Sequence, residues 1–286
     1  MNINWFPGHM KKAERAIIED LKQVDIVFVI LDARIPGASF NPDLNEILGD
    51  KPRVIVLNRS DLADANQSAK WQKIYESKGY TVILTDAVSG KGVNRSINVV
   101  RSVLKEKILQ YEQKGMKGRT LRIMVIGVPN VGKSTLINKL AKRKVATVAD
   151  RPGVTRGRQW IKVGNEIELL DTPGVLWPRF ESRDTGELLA ITGAIKDDVL
   201  DKQTLAVTFL NRMISMYPDA IKTRYKLSDT DLVDGFTALN AAAKKRGFLI
   251  SGGELDTERM ASVLLDEYRG GVLGRMTLEI ADESAE

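Results

Sequence analysis

The sequence predicts a doubly wound α/β sheet followed by an all-α region. Through the first 178 residues, short apolar runs rich in β-branched residues alternate with helical stretches, which is typical of buried parallel strands. The strand candidates are Asp25–Leu31, Arg53–Leu57, Tyr80–Leu84, Leu121–Ile126, Gln159–Val163 and Glu166–Leu170. From about Arg179 the strand pattern stops and helical periodicity takes over. We therefore predict two domains, residues 1–178 and residues 179–286.

Apolar residues at helical spacing supply the other elements. The helix candidates are Lys11–Gln23, Gln67–Lys78, Val93–Gln113, Lys133–Leu140, Asp184–Ile195, Val199–Met216, Asp229–Arg246 and Thr257–Tyr268. Ser228 is predicted to cap the helix that begins at Asp229, and Gly164-Asn165 is predicted to join the last two strands as a hairpin.

Composition is that of an ordinary globular protein. The 286 residues are 43% hydrophobic and 28% charged, and none is a cysteine, which excludes disulfides and thiolate metal sites. The apolar runs are too short to span a bilayer, so we expect a cytoplasmic protein that does not bind membranes. The net charge of +6 favours a polyanionic partner such as RNA, although many basic proteins have none.

One loop, GVPNVGKS from Gly127 to Ser134, lies between a predicted strand and a predicted helix. This context makes it a phosphate-binding P-loop, whose glycines let backbone N–H groups approach a phosphate chain. Lys133 is expected to reach the terminal phosphates and the Ser134 hydroxyl to ligate Mg²⁺. The contacts predicted in and after the loop are Asn130, Val131, Gly132, Lys133, Ser134 and Thr135.

The stretch Asn58-Arg59-Ser60-Asp61 resembles the Asn-Lys-x-Asp motif with which GTPases recognise guanine. A carboxylate at Asp61 can accept hydrogen bonds from guanine N1–H and the 2-amino group together, and adenine offers no such pair of donors. Asn58 is expected to meet N7, and the Arg59 side chain is expected to lie along the base. The alternative is a polar turn that ends a strand. Asp86-Ala87 lies where GTPases have their last base-contacting loop, with the Ala87 N–H directed at guanine O6.

Two further segments resemble the switches of GTPases. Thr155 resembles the threonine that ligates Mg²⁺ and senses the γ-phosphate. Asp171 and Gly174 resemble the DxxG motif, in which the aspartate holds Mg²⁺ through water and the glycine N–H meets the γ-phosphate. The base-binding motifs precede the P-loop here, an order that a circular permutation joined near Lys114–Thr120 explains.

The permuted order, GVPNVGKS, DTPGV and the N-terminal WFPGHM together resemble the circularly permuted P-loop GTPases, and among them the ribosome biogenesis GTPase A family. The resemblance covers nearly the whole chain and is weaker in the helical region. It implies a Ras-like GTPase domain with a C-terminal all-α domain. It also implies a monomer that binds GTP or GDP and acts on the large ribosomal subunit precursor and its rRNA in late assembly.

Many GTPases orient the attacking water with a glutamine after DxxG, but this chain has Val175 there. His9, the single histidine, lies in the matching WFPGHM motif and is the candidate for this task. A structural role is the alternative for His9. Asn130 resembles the asparagine with which some GTPases bind K⁺, so the predicted cofactors are Mg²⁺ and K⁺.

Three functions remain open at this point. The first is a GTPase that leaves a pre-ribosomal particle after hydrolysis, and the second is a GTP-gated RNA-binding module with vestigial hydrolysis. The third, a P-loop kinase or ATPase, is disfavoured by Asp61. Lys244-Lys245-Arg246 could contact RNA phosphates or could only complement the dipole of their helix.

Overall fold

A computed structural model describes residues 15–146, 159–174, 176, 180, 182–197 and 201–282. Contacts between residues divide this part of the chain into two compact units. One unit contains the described residues up to Phe180 together with those from Glu279 onward, and the other extends from residue 182 to Leu278. Of the predicted helix Lys11–Gln23, the described part is helical over residues 15–21 and is called α1.

The first unit is built on a six-stranded sheet in the order β3-β2-β1-β4-β6-β5. Its strands are β1 (Ile26–Asp32), β2 (Arg53–Asn58), β3 (Thr81–Leu84), β4 (Leu121–Gly127), β5 (Gln159–Val163) and β6 (Ile167–Asp171). Each predicted strand forms, with its ends shifted by at most one residue. β5 and β6 form the antiparallel hairpin predicted at the edge, and the other neighbours are parallel.

The order of the strands separates the two halves of the chain within the sheet. The first three strands of the chain form one half of the sheet and the last three form the other, and β1 and β4 meet in the middle. All seven residues of β1 are buried, as a strand covered on both faces requires. The carboxyl ends of β2, β4 and β6 therefore bring Asn58, Gly127 and Asp171 to one edge of the sheet.

Five more helices belong to this unit: α2 (Leu44–Leu48), α3 (Ala65–Ser77), α4 (Val93–Val103), α5 (Lys105–Gln113) and α6 (Lys133–Ala141). The prediction of one continuous helix over Val93–Gln113 is wrong, because the helix breaks at the buried residue Leu104. After the break, Lys107 and Tyr111 of α5 bond to Asp25 at the amino end of β1. The side chain of Asp25 thus fixes the direction of α5.

The second unit is helical, as predicted. Its helices are α7 (Arg183–Ile191), α8 (Lys202–Met216), α9 (Pro218–Tyr225), α10 (Gly235–Arg246) and α11 (Thr257–Arg269). The predicted helix Asp229–Arg246 is in fact a short 3₁₀ turn, Asp229–Asp231, followed by α10. Ser228 caps the turn, while Asp234 caps α10 by accepting a hydrogen bond from the Thr237 N–H. Proline at the first position of α9 starts a helix that periodicity alone did not predict.

The segment after Leu278 packs on the first unit. The Trp71 Nε1–H donates to the Glu279 carbonyl at 3.1 Å, and the Ala38 N–H donates to Glu279 Oε1 at 2.8 Å. The Ala281 N–H donates to Gln67 Oε1 at 2.9 Å. The predicted division assigned this segment to the helical domain, whereas its contacts are with α3 and the loop after β1. Across the described ranges, no helix combines the length and apolarity that a membrane span needs.

Candidate guanine-nucleotide site

The phosphate loop forms the turn from β4 into α6. Gly132 is the N-cap of α6 and has the left-handed φ of 97°. A Cβ at this position would lie 2.4 Å from Asn58 Nδ2, so only glycine lets the base-binding motif come this close. Lys133 is the first residue of α6, and its buried Nζ donates to the carbonyls of Gly127 and Val128 at 3.1 and 2.9 Å. The lysine is thus already held inside the loop.

Asn58 joins the base-binding and phosphate-binding parts of the site. Its Nδ2 donates to the Val131 carbonyl at 2.8 Å, while its Oδ1 accepts from Thr85 Oγ1 at 3.0 Å and the Ala87 N–H at 3.2 Å. An amide nitrogen has two donors, so one of them remains for guanine N7. The Ala87 N–H already has a protein partner, and guanine O6 would share or replace that bond.

Arg59 makes the second connection to the phosphate loop. Its Nη2 donates to the Asn130 carbonyl at 2.6 Å. Both residues have left-handed backbones, with φ of 59° for Arg59 and 57° for Asn130. Such a conformation costs roughly 1 kcal/mol for a residue like arginine and persists where its surroundings fix it. The arginine in the usual lysine position therefore still contacts the phosphate loop through its charged head.

Asp61 and Asp86 have different environments. Asp61 is exposed, so its carboxylate is accessible to a base. Asp86 is buried, and its Oδ1 accepts from the N–H groups of Val88 and Ser89 at 2.8 and 3.1 Å. Burial alone would raise the pKa of Asp86, but hydrogen bonds from Ser89 and Val88 hold it below the usual value. Asp86 thus shapes the loop that presents Ala87.

Sequence comparison identifies the kind of site. A family model described as 50S ribosome-binding GTPase matches residues 122–234. Ribosome biogenesis GTPase A of Bacillus cereus is 46% identical over 288 residues, which covers 100% of this chain and 96% of the relative. The chain belongs to the ribosome biogenesis GTPase A family.

Other comparisons agree with this membership. Ribosome biogenesis GTPase A of Priestia megaterium is 46% identical, over 99% of both chains. The crystal structure of GNP-bound YlqF from Thermotoga maritima has a TM-score of 0.64 at 27% identity and covers 95% of this chain and 99% of its own. This member of the ribosome biogenesis GTPase A family is thus a GTP hydrolase with a role in ribosome assembly, built on the permuted GTPase fold that the sequence predicted.

P-loop GTPases of this family generally use Mg²⁺, and the half-buried Ser134 and the buried Asp171 fit that ion. Ser134 Oγ lies 3.5 Å from Asp171 Oδ2. Asp171 Oδ1 is buried and has no hydrogen-bond partner among the described residues, as a carboxylate oxygen intended for a metal shell would. Burial raises the pKa of Asp171, against the charge of Lys133, and burial lowers the pKa of Lys133 to about 8. Bound phosphates would stabilise the charged form of Lys133, and a bound cation would stabilise the charged form of Asp171.

Gly174 lies directly against the phosphate loop. A Cβ there would be 2.7 Å from Pro129 Cα and 3.0 Å from Lys133 Nζ, which explains glycine at the end of the Asp-Thr-Pro-Gly motif. The preceding Thr172 Oγ1 donates to the Val125 carbonyl at 2.7 Å and fixes the start of this segment. His9, Thr155 and Val175 lie outside the described residues.

Three side chains beside the site were not predicted from the motifs. Thr85 and Thr172 bond to Asn58 and to β4. Arg34, just after β1, is completely buried. A signal was present for all three, because each lies just beyond the carboxyl end of a predicted strand, at the edge where such sheets bind ligands.

Proposed function

We propose that the protein binds the large ribosomal subunit precursor, promotes its late assembly, and uses GTP hydrolysis as a conformational switch and release step. The observation that supports it most is the match of residues 122–234 to a family described as a 50S ribosome-binding GTPase. In this proposal residues 1–178 form the GTPase domain, on which the segment from Glu279 packs, and residues 179–278 form the RNA- and ribosome-binding domain. The protein acts as a monomer in the cytoplasm.

Sedimentation tests this proposal. Purified protein is mixed with immature or mature large subunits in the presence of GDP or a non-hydrolysable GTP analogue. We expect co-sedimentation with the immature particle in the GTP analogue and its loss in GDP. Equal binding to both particles in both nucleotides would refute the proposal.

In the proposed mechanism, the chain holds GTP through Asn58 and Asp61 at the base and through residues 130–135 at the phosphates. Bound Mg²⁺ would neutralise phosphate charge, held by Ser134, by Thr155 and, through water, by Asp171. The Gly174 N–H meets the γ-phosphate, so this segment distinguishes GTP from GDP. Lys133 remains protonated beside the phosphates, because their negative charge offsets its burial.

We assign the orientation of the attacking water to His9. Val175 cannot form a hydrogen bond through its side chain, and His9 is the single imidazole in the chain. His9→Ala is expected to lose at least about tenfold of the turnover measured with large subunits while it retains GDP affinity. Unchanged turnover would exclude this role for His9. If wild-type protein also fails to hydrolyse GTP with large subunits, the GTP-gated binding module is the better description.

Asn130 is our candidate ligand for K⁺. Its left-handed backbone lies at the centre of the phosphate loop. A cation there would supply charge stabilisation that other GTPases obtain from an arginine finger. Turnover in KCl is expected to exceed turnover in NaCl by at least about tenfold, with the difference lost in Asn130→Ala. Equal rates in the two salts would contradict the assignment.

We further propose that the nucleotide state changes the position or order of the helical domain. The reason is that α7 begins at Arg183, nine residues after Gly174. Hydrogen exchange across Asp184–Tyr268 should differ between GDP and a GTP analogue. Indistinguishable exchange would rule out the coupling.

Lys244 and Lys245 are the proposed RNA contacts in the helical domain. Both are exposed in the last turn of α10. Arg246 instead donates to Glu267 Oε1 at 3.0 Å and lies over the Tyr225 ring, so its head is occupied by protein. Each lysine-to-alanine change should reduce the salt slope of RNA binding by about one. An unchanged salt slope would show that the two lysines do not contact RNA. Their positive charges would then only complement the dipole of α10.

A further inference from the structure

Asp32 is the last residue of β1, and Arg34 follows it by two residues in the loop after the strand. β1 lies between β2, which ends in the base-binding motif, and β4, which ends in the phosphate loop. In the sheet register Asp32 is opposite Asn58, and Ile30 is opposite Gly127. Asp32 therefore lies between the two halves of the site without being part of either.

The pair is buried and its geometry is specific. Arg34 Nε and Nη2 donate to the two oxygens of Asp32 at 2.9 and 2.7 Å. Arg34 is 0% exposed and Asp32 is 3% exposed. The Asp32 N–H donates to Ser39 Oγ at 3.0 Å, which ties the following loop to the same point. A buried ion pair of this kind contributes little net stability compared with apolar residues of similar volume, so its position calls for another explanation.

The backbone that follows Asp32 is bonded to the residue that precedes Arg59. The Ala33 N–H donates to the Asn58 carbonyl at 2.9 Å, so the loop after β1 and the start of the base-binding motif are joined backbone to backbone. Burial alone would raise the pKa of Asp32, but the charges of Arg34 and Arg59 and hydrogen bonds from Arg34 hold it below its usual value. Arg59 in turn contacts the phosphate loop at the Asn130 carbonyl.

We propose that Asp32, held by Arg34, is a positioning residue for guanine-nucleotide binding. Its carboxylate provides the fixed negative charge that keeps the Arg59 guanidinium directed at the Asn130 carbonyl. Arg59 then holds the phosphate loop and the base-binding motif in one arrangement before a nucleotide enters. Asp32 itself does not touch the nucleotide.

The test replaces the pair with apolar residues of similar volume, Asp32→Leu with Arg34→Met, in the full chain without ribosomes. The probe is GDP with a fluorescent ribose label. The double variant should keep its melting temperature and bind the probe about tenfold more weakly. Arg59→Ala should weaken binding in the wild-type background and add little in the double variant, because both changes remove one interaction. A general loss of packing would instead give additive effects.

Asp25→Asn is the matched control. Asp25 is also buried and paired with a basic side chain, Lys107, but it lies at the amino end of β1, away from the site. This variant should melt at a lower temperature and bind the probe with unchanged affinity.

A second variant covers the case in which the apolar pair does not fold. Arg34→Lys keeps the charge and loses the two-pronged bond, so it should fold and bind the probe more weakly than wild type. A folded variant of either kind with wild-type affinity for the probe would overturn the proposal, and so would additivity with Arg59→Ala. Because no ribosomal particle is present, these outcomes are independent of the proposed assembly role.

Discussion

At the scale of single residues, few groups join the predicted base-binding motif to the phosphate loop. The Asn58 amide makes this connection, bonded to Val131 on one side and to Thr85 and Ala87 on the other. Sequence motifs predicted Asn58 and Asp61 because the chemistry of guanine demands those groups. They did not predict Thr85 or Arg34. The position of each residue after a strand is visible in the sequence, but the bond from Thr85 to Asn58, 27 residues away, and the burial of Arg34 are not.

Asp61→Asn should change the base specificity of the site from guanine to xanthine. The carboxylate accepts from two guanine donors, whereas an asparagine amide can donate to the 2-oxo group of xanthine. We expect GTP affinity to fall by at least about 100-fold and affinity for xanthosine triphosphate to rise. Competition binding with both nucleotides measures this. Equal losses of affinity for GTP and for xanthosine triphosphate would show that Asp61 has only a structural role.

At the scale of elements, apolar runs rich in β-branched residues predicted the buried parallel strands, and the Gly164-Asn165 turn signal predicted the antiparallel hairpin of β5 and β6. Helix ends were less predictable. The break at Leu104 preserves helical periodicity on both sides, so spacing alone cannot reveal it. The direction of α5 is set instead by Asp25, which accepts from Tyr111 Oη at 2.8 Å, from the Arg122 N–H at 2.9 Å and pairs with Lys107 at 2.7 Å.

Asp25→Asn should therefore destabilise the protein in a pH-dependent way. Burial alone would raise the pKa of Asp25, but bonds from Lys107, the Arg122 N–H and Tyr111 lower it. A carboxyl with a lowered pKa stabilises the fold above its unfolded pKa and loses that effect as the pH falls through its folded pKa. We expect a gap of about 1–3 kcal/mol in unfolding free energy at pH 7, shrinking between pH 5 and pH 3. Denaturant titrations measure it, and a gap constant with pH would contradict the assignment.

At the scale of the whole molecule, the first unit is built from two separate stretches of the chain. The chain leaves the first unit after Phe180 and returns to it at Glu279. The segment that begins at Glu279 is held in place by defined hydrogen bonds, because the Ala38 N–H and the Trp71 Nε1–H both donate to Glu279. The sequence pattern placed these residues in the helical domain, because the hydrogen bonds of Glu279 and Ala281 produce no periodic pattern.

Glu279→Ala should lower the unfolding free energy by about 1–3 kcal/mol, since it leaves the Ala38 N–H without its carboxylate acceptor. Glu254→Ala is the control, because Glu254 is exposed and its change should stay within about 0.5 kcal/mol. Thermal unfolding of the two variants makes the comparison. Equal stability of both would show that the returning segment contributes nothing through Glu279.

In the proposed function, occupancy of this guanine site by a nucleoside triphosphate controls binding to the large-subunit precursor. The most direct test sediments Asp61→Asn protein with immature large subunits in non-hydrolysable analogues of GTP and of xanthosine triphosphate. We predict co-sedimentation with the xanthosine analogue alone, and with the guanosine analogue alone for wild type. Binding of the variant to the particle irrespective of nucleotide would show that the guanine site does not control this binding.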